Sequence, residues 1–362
     1  MGQSINRRRV FGGGKVNYMK QPLTFVSLED YNTIIFKVTS ATNLQPVSLY
    51  VSKDKNSYGE LKTATEAGTA LATLNAGEKL YVRVSNYTTF TPYSNGTDYH
   101  IFSSTGYYAV EGNIMSLLYH LNSDEQTALP SGTYTFYRLF FDELGLTDIS
   151  NLVMPATTLR QGCYERMFQG SGITSLPENL LPATTLATSC YYNMFYGCAI
   201  TAIPGGFLPA TTLADSCYYS MFSNTSITTL PSGLLPATTL ASSCYRQMFY
   251  GCASLATVAS DLMGATTLAS ACCRGMFSAC SNLQNSPDLN AKTLVTDCYR
   301  VMFNACTSIT YIKCTATSIS ASNATNAWLG GASSTGTFVR ASGVSWGRNT
   351  SGVPSGWTLV NA

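Results

Sequence analysis

The sequence predicts a mixed fold in two parts, an N-terminal all-β sandwich followed by an α/β solenoid of about seven 27-residue repeats. Three observations favour this prediction. The first part alternates apolar and polar residues, the second part repeats a Met-Phe pair about every 27 residues, and a short apolar run follows most pairs. Repeats of this size stack as supersecondary units, because each unit needs a neighbour to cover its apolar face.

Residues 1–21 form a basic segment that we predict to be a docking arm. Three consecutive arginines precede three consecutive glycines and a lysine. A charged, glycine-rich segment is flexible on its own, so a solvated tail and an arm docked on a partner both fit this composition. The candidate partner-docking residues are Arg7, Arg8, Arg9 and Lys15.

Residues 22–105 carry several short runs in which apolar and polar side chains alternate. Examples are the runs from Thr33 to Val38 and from Lys79 to Val84, and turn-forming residues separate such runs. Several short alternating strands predict a small β-sandwich, here of the immunoglobulin-like (Ig-like) kind. Residues 106–132 follow as a linker and as the N-terminal cap of the repeats.

The repeats occupy residues 133–320, and residues 321–362 are predicted to cap their C-terminal end. The Met-Phe pairs, at steps of 27, 27, 27, 28 and 26 residues, are Met167-Phe168, Met194-Phe195, Met221-Phe222, Met248-Phe249, Met276-Phe277 and Met302-Phe303. We predict a helix around each pair. On a helix of about 100° per residue the recurrent Cys, Tyr, Met, Phe and second Cys share one face, which we expect to be buried.

A short apolar run after each predicted helix, such as Ile200 to Ile203, predicts one strand per unit. One short parallel strand per unit is the arrangement of leucine-rich repeats. The outward helix position two residues after the first cysteine differs between units, and it supplies the candidate ligand-binding residues. These are Tyr192, Tyr219, Arg246, Arg274 and Arg300. Tyrosine and arginine are common interface anchors, although a solvated helix face is the alternative interpretation.

Twelve cysteines lie between Cys163 and Cys314, and ten of them occupy two repeated positions. No C-x-x-C spacing occurs and the chain has two histidines, so this pattern favours buried thiols over zinc ligands. Disulfides between stacked repeats are the alternative. Acidic residues are scattered through the repeats, and the sequence therefore predicts no catalytic residues, no metal site and no cofactor.

Charge is sparse, with 11% charged residues and a net charge of +2. This composition offers no general case for a nucleic-acid partner. No run approaches the roughly 20 apolar residues of a transmembrane helix, so we expect no membrane insertion. The first residues also lack the apolar core of a secretory signal, and we expect no export by that route.

The repeat blocks resemble those of BspA-type leucine-rich-repeat proteins, which occur on the surface of gut Bacteroidales and in their phages. In one unit the blocks are Leu181-Pro182-Ala183-Thr184-Thr185-Leu186 and Cys190-Tyr191-x-x-Met194-Phe195-x-Gly197-Cys198. The similarity covers about residues 106–362. The resemblance implies adhesion of the solenoid to host or bacterial surface components, with no catalytic residues.

These observations predict a non-enzymatic structural or adhesion protein, in the first place a phage virion component such as a head or tail fibre or a capsid decoration. The arm and the sandwich are expected to contact other virion proteins, and the repeats to bind a cell-surface glycan or protein. We expect an oligomer within the assembly and a virion assembled in the host cytoplasm. A bacterial cell-surface adhesin is the alternative, and a depolymerase using Glu165 or Asp215 is the enzymatic alternative.

Overall fold

The computed structural model describes residues 20–85 and 98–362, and this part of the chain contains thirteen strands. They are β1 (Leu23–Ser27), β2 (Asn32–Val38), β3 (Ser48–Ser52), β4 (Glu60–Thr63), β5 (Thr69–Leu74), β6 (Lys79–Val84), β7 (His100–Ser104), β8 (Tyr108–Asn113), β9 (Leu146–Val153), β10 (Asn285–Leu289), β11 (Tyr311–Cys314), β12 (Gly336–Arg340) and β13 (Trp357–Asn361). Arg7, Arg8, Arg9 and Lys15 lie outside the described residues.

Two sheets build the N-terminal part, with strand orders β4-β3-β6-β1-β8-β9 and β5-β2-β7. Along β2 every second side chain is buried, as expected for a strand with one face on a core. The buried faces of the two sheets meet where Phe25 of β1 contacts Phe102 of β7, with ring centroids 4.9 Å apart. Strand β9 lies within the predicted repeats and pairs in parallel with β8, so the first sheet extends into the repeats.

The predicted α/β fold class is wrong, because residues 20–85 and 98–362 contain no α-helix. The helical turns in these ranges include the short 3-10 segments Ile114–Leu117 and Ser123–Glu125. The segments around the Met-Phe pairs are ribbons of tight turns instead. In one ribbon Ser189, Asn193 and Gly197 have φ values of 52°, 52° and 72°. A left-handed residue at every fourth position is incompatible with a right-handed α-helix.

The backbone hydrogen bonds of the ribbons also differ from those of a helix. Every second amide donates within its own unit, as the Tyr192 amide does to Ser189 O at 3.2 Å. The amides between them donate to the next unit, as the Tyr191 amide does to Cys217 O at 3.0 Å. An α-helix directs its amides to carbonyls four residues back in the same segment. The ribbons are therefore joined side by side, and we call the joined units from Tyr134 to Gly331 the repeat stack.

The burial pattern explains why the helix prediction failed. The buried positions of one ribbon are Cys190, Tyr191, Met194, Phe195 and Cys198. Over nine residues, a helix of 3.6 residues per turn and a ribbon with a period of four bury the same positions. In some units, such as that of Ser189, Asn193 and Gly197, residues at every fourth position include glycine and asparagine, which accept the left-handed conformation, but other units place residues such as Arg166, Gln247 and Val301 there.

Regular strands are also rarer in the repeat stack than the sequence predicts. Ile200 and Ile203 are buried, but between them the structure has only an isolated bridge from Ala202 to Thr229. Pro204 follows directly and has no amide hydrogen to donate to a ladder. A continuous parallel sheet, in the order β10-β11-β12-β13, forms towards the C-terminal end of the chain.

A file of phenylalanine rings runs through the core from the two N-terminal sheets into the repeat stack. In order the rings are Phe36, Phe102, Phe140, Phe168, Phe195, Phe222, Phe249, Phe277 and Phe303, with neighbouring centroids 4.7 to 5.9 Å apart. Stacked aromatic pairs at this spacing add stability beyond the area that they bury. The Phe102 amide also donates to Leu139 O at 2.9 Å. The sheets and the repeat stack therefore share one core.

The three tryptophans are buried at the C-terminal end of the repeat stack. Trp328 stacks on Trp346 with centroids 5.3 Å apart, and its indole N–H donates to Gly352 O at 2.7 Å. The Trp357 indole N–H donates to Ser333 O at 2.8 Å. The exposed fractions are 0%, 6% and 2% for Trp328, Trp346 and Trp357, so these side chains have little surface left for a ligand.

Replacement of Gly197 by alanine should lower the free energy of unfolding by about 1–2 kcal/mol, because a Cβ is disfavoured in the left-handed conformation. The added carbon would meet no atom within 4 Å, so this loss reports the backbone alone. Gly205→Ala is the matched control, since its Cβ also meets nothing within 4 Å and its φ is not left-handed. Urea denaturation should show little change or a slight gain for the control. A gain for Gly197→Ala would indicate a helix at this position.

Candidate ligand-binding face

The structure brings all five candidate ligand-binding residues into one column on the outward side of the repeat stack. Glu165 occupies the same position in the preceding unit, and we call these six residues the ladder column: Glu165, Tyr192, Tyr219, Arg246, Arg274 and Arg300. Each of these side chains is half-buried. The ribbons beneath them are joined by hydrogen bonds such as Gln247 N–H to Arg274 O at 2.9 Å, and strands joined in this way are about 4.8 Å apart. Side chains in neighbouring units therefore touch.

The two tyrosines of the ladder column stack on each other and are covered on both sides. The ring centroids of Tyr192 and Tyr219 are 4.6 Å apart. The Arg166 guanidinium lies 5.6 Å from the centre of the Tyr192 ring, and that of Arg246 lies 5.0 Å from the Tyr219 ring. Each such contact contributes about 0.5–1 kcal/mol at an exposed site. The ring faces are occupied, and the edges and hydroxyl groups remain for a ligand.

Arg246, Arg274 and Arg300 occupy three consecutive units, and we call them the arginine row. Asp297 pairs with Arg300, with 3.4 Å between Oδ1 and Nη1. Within the part of the chain that the structure describes, Arg246 and Arg274 have no ion-pair partner, and Arg246 Nε is buried without a hydrogen bond. Burial and then the charges of Arg246 and Arg300 lower the pKa of Arg274. Three positive groups thus share one carboxylate.

Glu165 lies at the opposite end of the ladder column. Its carboxylate is 3.6 Å from Arg166 Nε. Burial raises the pKa of Glu165 to about 7, although Arg166 and Arg138 act in the opposite direction. This end of the column also carries positive charge, from Arg166 and Arg138, and it differs from the arginine row in having a carboxylate beside Arg166.

Sequence reasoning missed residues that the ribbon places directly beside the ladder column. Arg166 covers the Tyr192 ring, and Gln247 Oε1 accepts a hydrogen bond from the Tyr219 hydroxyl at 2.9 Å. Both lie one position after a member of the ladder column and have left-handed φ values. A helix would separate consecutive residues by about 100°. A four-residue period would have placed both positions on the outward side.

The twelve cysteines are free and buried, as the packing interpretation predicted. At the second repeated position the thiol donates to a carbonyl of the preceding unit, for example Cys198 Sγ to Phe168 O and Cys280 Sγ to Phe249 O, both at 3.0 Å. At the first position, burial raises the pKa of Cys163 and Cys217 to about 12. A thiol that stays protonated at neutral pH is a poor nucleophile and a poor metal ligand.

Three further candidate features of the described residues are a metal site, a pair of catalytic acids and a membrane-spanning helix. No group of three or more His, Cys, Asp or Glu residues in residues 20–85 and 98–362 comes together to hold a metal ion. Glu165 pairs with Arg166, whereas Asp215 accepts a hydrogen bond from the Ser242 amide at 3.1 Å. In the same ranges no helix is long and apolar enough to cross a membrane.

A cavity of about 360 Å³ lies between the last ribbon of the repeat stack and the loop around Pro354. Leu329 and Val353 supply apolar lining, and Arg348 is the charged lining residue. The Arg348 guanidinium donates from Nη1 to the carbonyls of Pro354 and Trp357, at 2.6 and 3.0 Å. This arginine is therefore engaged in holding the C-terminal loop.

Comparison of the chain with protein-family profiles, with characterised proteins and with solved structures finds no match. The resemblance of the repeat blocks to BspA-type repeats therefore stays a prediction. The ladder column, with its covered tyrosine pair and its arginine row, is the surface on which a functional proposal rests.

Thiol titration of the native protein should detect less than one reactive cysteine per chain, because the thiols are buried and their pKa values are raised in most cases. In guanidinium chloride without a reductant, all twelve should react. A count that reaches twelve only after reduction would show disulfides between the units and would contradict the free thiols.

Glu165→Gln should stabilise the protein at pH 8 and have little effect at pH 5. Because the folded-state pKa of Glu165 is raised to about 7, its contribution to stability is complete below pH ~4.5 and is lost as the pH rises through about 7. We expect a gain at pH 8 on the order of 1–3 kcal/mol in the free energy of unfolding. The difference between variant and wild type isolates Glu165, since His100, whose pKa burial lowers to about 4, titrates in both. A less stable variant at pH 8 would show that the contact with Arg166 dominates.

Proposed function

We propose that the chain is a non-enzymatic structural and adhesion protein whose ladder column binds a glycan or protein on a cell surface. The observation that supports this proposal is the column itself. Residues that differ between units lie over one another on the outward side, whereas the residues that recur in each unit are buried. A position that is free to vary on a fixed scaffold is where binding specificity is expected.

The scaffold limits the entropy that binding would cost. Hydrogen bonds between units fix the backbone under the ladder column, and the contacts among Arg166, Tyr192, Tyr219 and Arg246 restrict the side chains before any ligand arrives. Ordering a long side chain at an interface costs about 0.5–1.5 kcal/mol. A column ordered in advance avoids part of this cost.

We further propose that the chain is a component of a phage virion, either a head or tail fibre or a capsid decoration. In this proposal residues 1–21 and the N-terminal sheets contact other virion proteins, and the chain is an oligomer within the assembly. The resemblance of the repeat blocks to proteins of Bacteroidales phages supports this location. A bacterial cell-surface adhesin of the BspA type is the second candidate, because the same resemblance supports it.

Replacement of Tyr192, Tyr219, Arg246, Arg274 and Arg300 by serine should abolish adhesion of the purified protein to cells, as measured by flow cytometry with labelled protein. The control replaces five exposed residues of a different column by serine, namely Thr185, Thr212, Thr239, Thr267 and Thr293. This control should adhere like the wild type. Unchanged adhesion of the ladder-column variant, with its melting temperature preserved, would remove the ladder column from the proposal.

Immunogold labelling should place the chain on phage particles, with antibodies against the repeat stack reaching intact virions. The control is the same antibody on uninfected bacteria that carry the gene. Labelling of intact, uninfected cells without labelling of particles would replace the virion proposal by the adhesin alternative.

A further inference from the structure

Resting on the proposed function, we infer that the ligand of the ladder column is an acidic polysaccharide, whose carboxylate or sulfate groups are bound by the arginine row. Arg246, Arg274 and Arg300 would each donate guanidinium N–H groups to one anionic group. The planar guanidinium matches carboxylate and sulfate oxygens in a two-point geometry that lysine cannot supply.

The first argument is the uncompensated charge of the arginine row. Some charged groups of the described chain have ion-pair partners, as Lys313 does in Asp288 and Lys79 in Glu111, whereas Arg246 and Arg274 have none. In the arginine row, Asp297 faces Arg300. Like charges in adjacent strands are destabilising, so folding alone does not favour three arginines in consecutive units. A bound polyanion would offset this repulsion.

The second argument concerns the two tyrosines. A neutral sugar is commonly bound by placing its apolar face on an aromatic ring, but the rings of Tyr192 and Tyr219 are already covered. Tyr192 and Tyr219 cover each other, and Arg166 and Arg246 cover the outer sides. The ladder column therefore offers hydrogen-bond donors and positive charge in place of stacking surfaces, and this combination favours an anionic ligand.

The third argument comes from the positions that flank the arginine row. The four-residue period brings the positions four before and four after each arginine to the same side of the ribbon. Around Arg274 these are the exposed Ser270 and the buried Ser278, and around Arg300 they are Thr296 and Asn304. Accessible hydroxyl and amide groups therefore lie beside the arginine row at Ser270, Thr296 and Asn304, and they match a polymer that carries anionic groups and sugar hydroxyls together.

The test measures binding of the purified full chain to hyaluronate and heparin, with dextran, polyglutamate and duplex DNA as comparison ligands, by biolayer interferometry. We expect binding to at least one acidic polysaccharide that weakens as salt is raised, and none to dextran. The double variant Arg246→Gln, Arg274→Gln should bind about tenfold or more weakly per arginine removed. The control, Arg160→Gln with Lys55→Gln, removes the same charge from exposed positions outside the ladder column and should bind like the wild type.

A second variant, Arg246→Lys with Arg274→Lys, keeps the charge and should still lose part of the affinity, because lysine cannot make the two-point contact. Melting temperatures of all variants are compared, and the salt dependence of the wild type gives a measurement that needs no substitution. The inference would be overturned if neither acidic polysaccharide bound, or if the control variant bound as weakly as the double variant. Equally tight binding of polyglutamate or DNA would also overturn it.

The two proposals fail differently. If the serine variant of the ladder column loses cell adhesion while hyaluronate and heparin do not bind, the adhesion proposal stands and the acidic ligand is wrong. If adhesion does not depend on the ladder column, the proposed function fails, and binding of the polysaccharides would then describe a cationic surface without that role.

Discussion

Every second backbone amide of a ribbon donates to the neighbouring unit, and the rest of the structure depends on this interaction. Amides such as that of Tyr191 have their partner one unit away, and a buried amide without a partner costs about 1–3 kcal/mol. A single unit is therefore incomplete. Because the bonds fix one register, each side chain lies over its equivalent in the next unit. The phenylalanine file and the ladder column are both products of that register.

Equivalent side chains of successive units lie over one another, and this stabilises the core but not the outward side of the repeat stack. In the core it places ring on ring and thiol beside carbonyl, and both arrangements are favourable. On the outward side it also places Arg274 between Arg246 and Arg300, which is unfavourable unless an anion joins them. The outward side is where the sequence differs most between units, and the arginine row is where that difference runs against stability. The arginine row is therefore a better candidate for a functional site than the residues that recur in each unit.

The sequence could predict which residues are buried but not the backbone that buries them. The strands β2 and β6 were recognisable because their alternation is local. Nine residues are too few to separate the ribbon's period of four from a helical period of 3.6. The hydrogen bonds that define the ribbon also reach a partner about 26 residues away, such as Cys217 from Tyr191. The ladder column followed from its variability alone. Arg166 and Gln247 were missed because their exposure depends on the ribbon.

The phenylalanine file crosses from the N-terminal sheets to the repeat stack through Phe140, and no polar layer interrupts it. The Phe102 amide bond to Leu139 and the pairing of β8 with β9 cross the same boundary. The two parts therefore meet through packed rings and shared strands. In the proposed function, a load on the ladder column would pass through these rings and strands to the N-terminal sheets. If the N-terminal part is the anchor, as proposed, the shared core would keep the ladder column at a constant angle to its support.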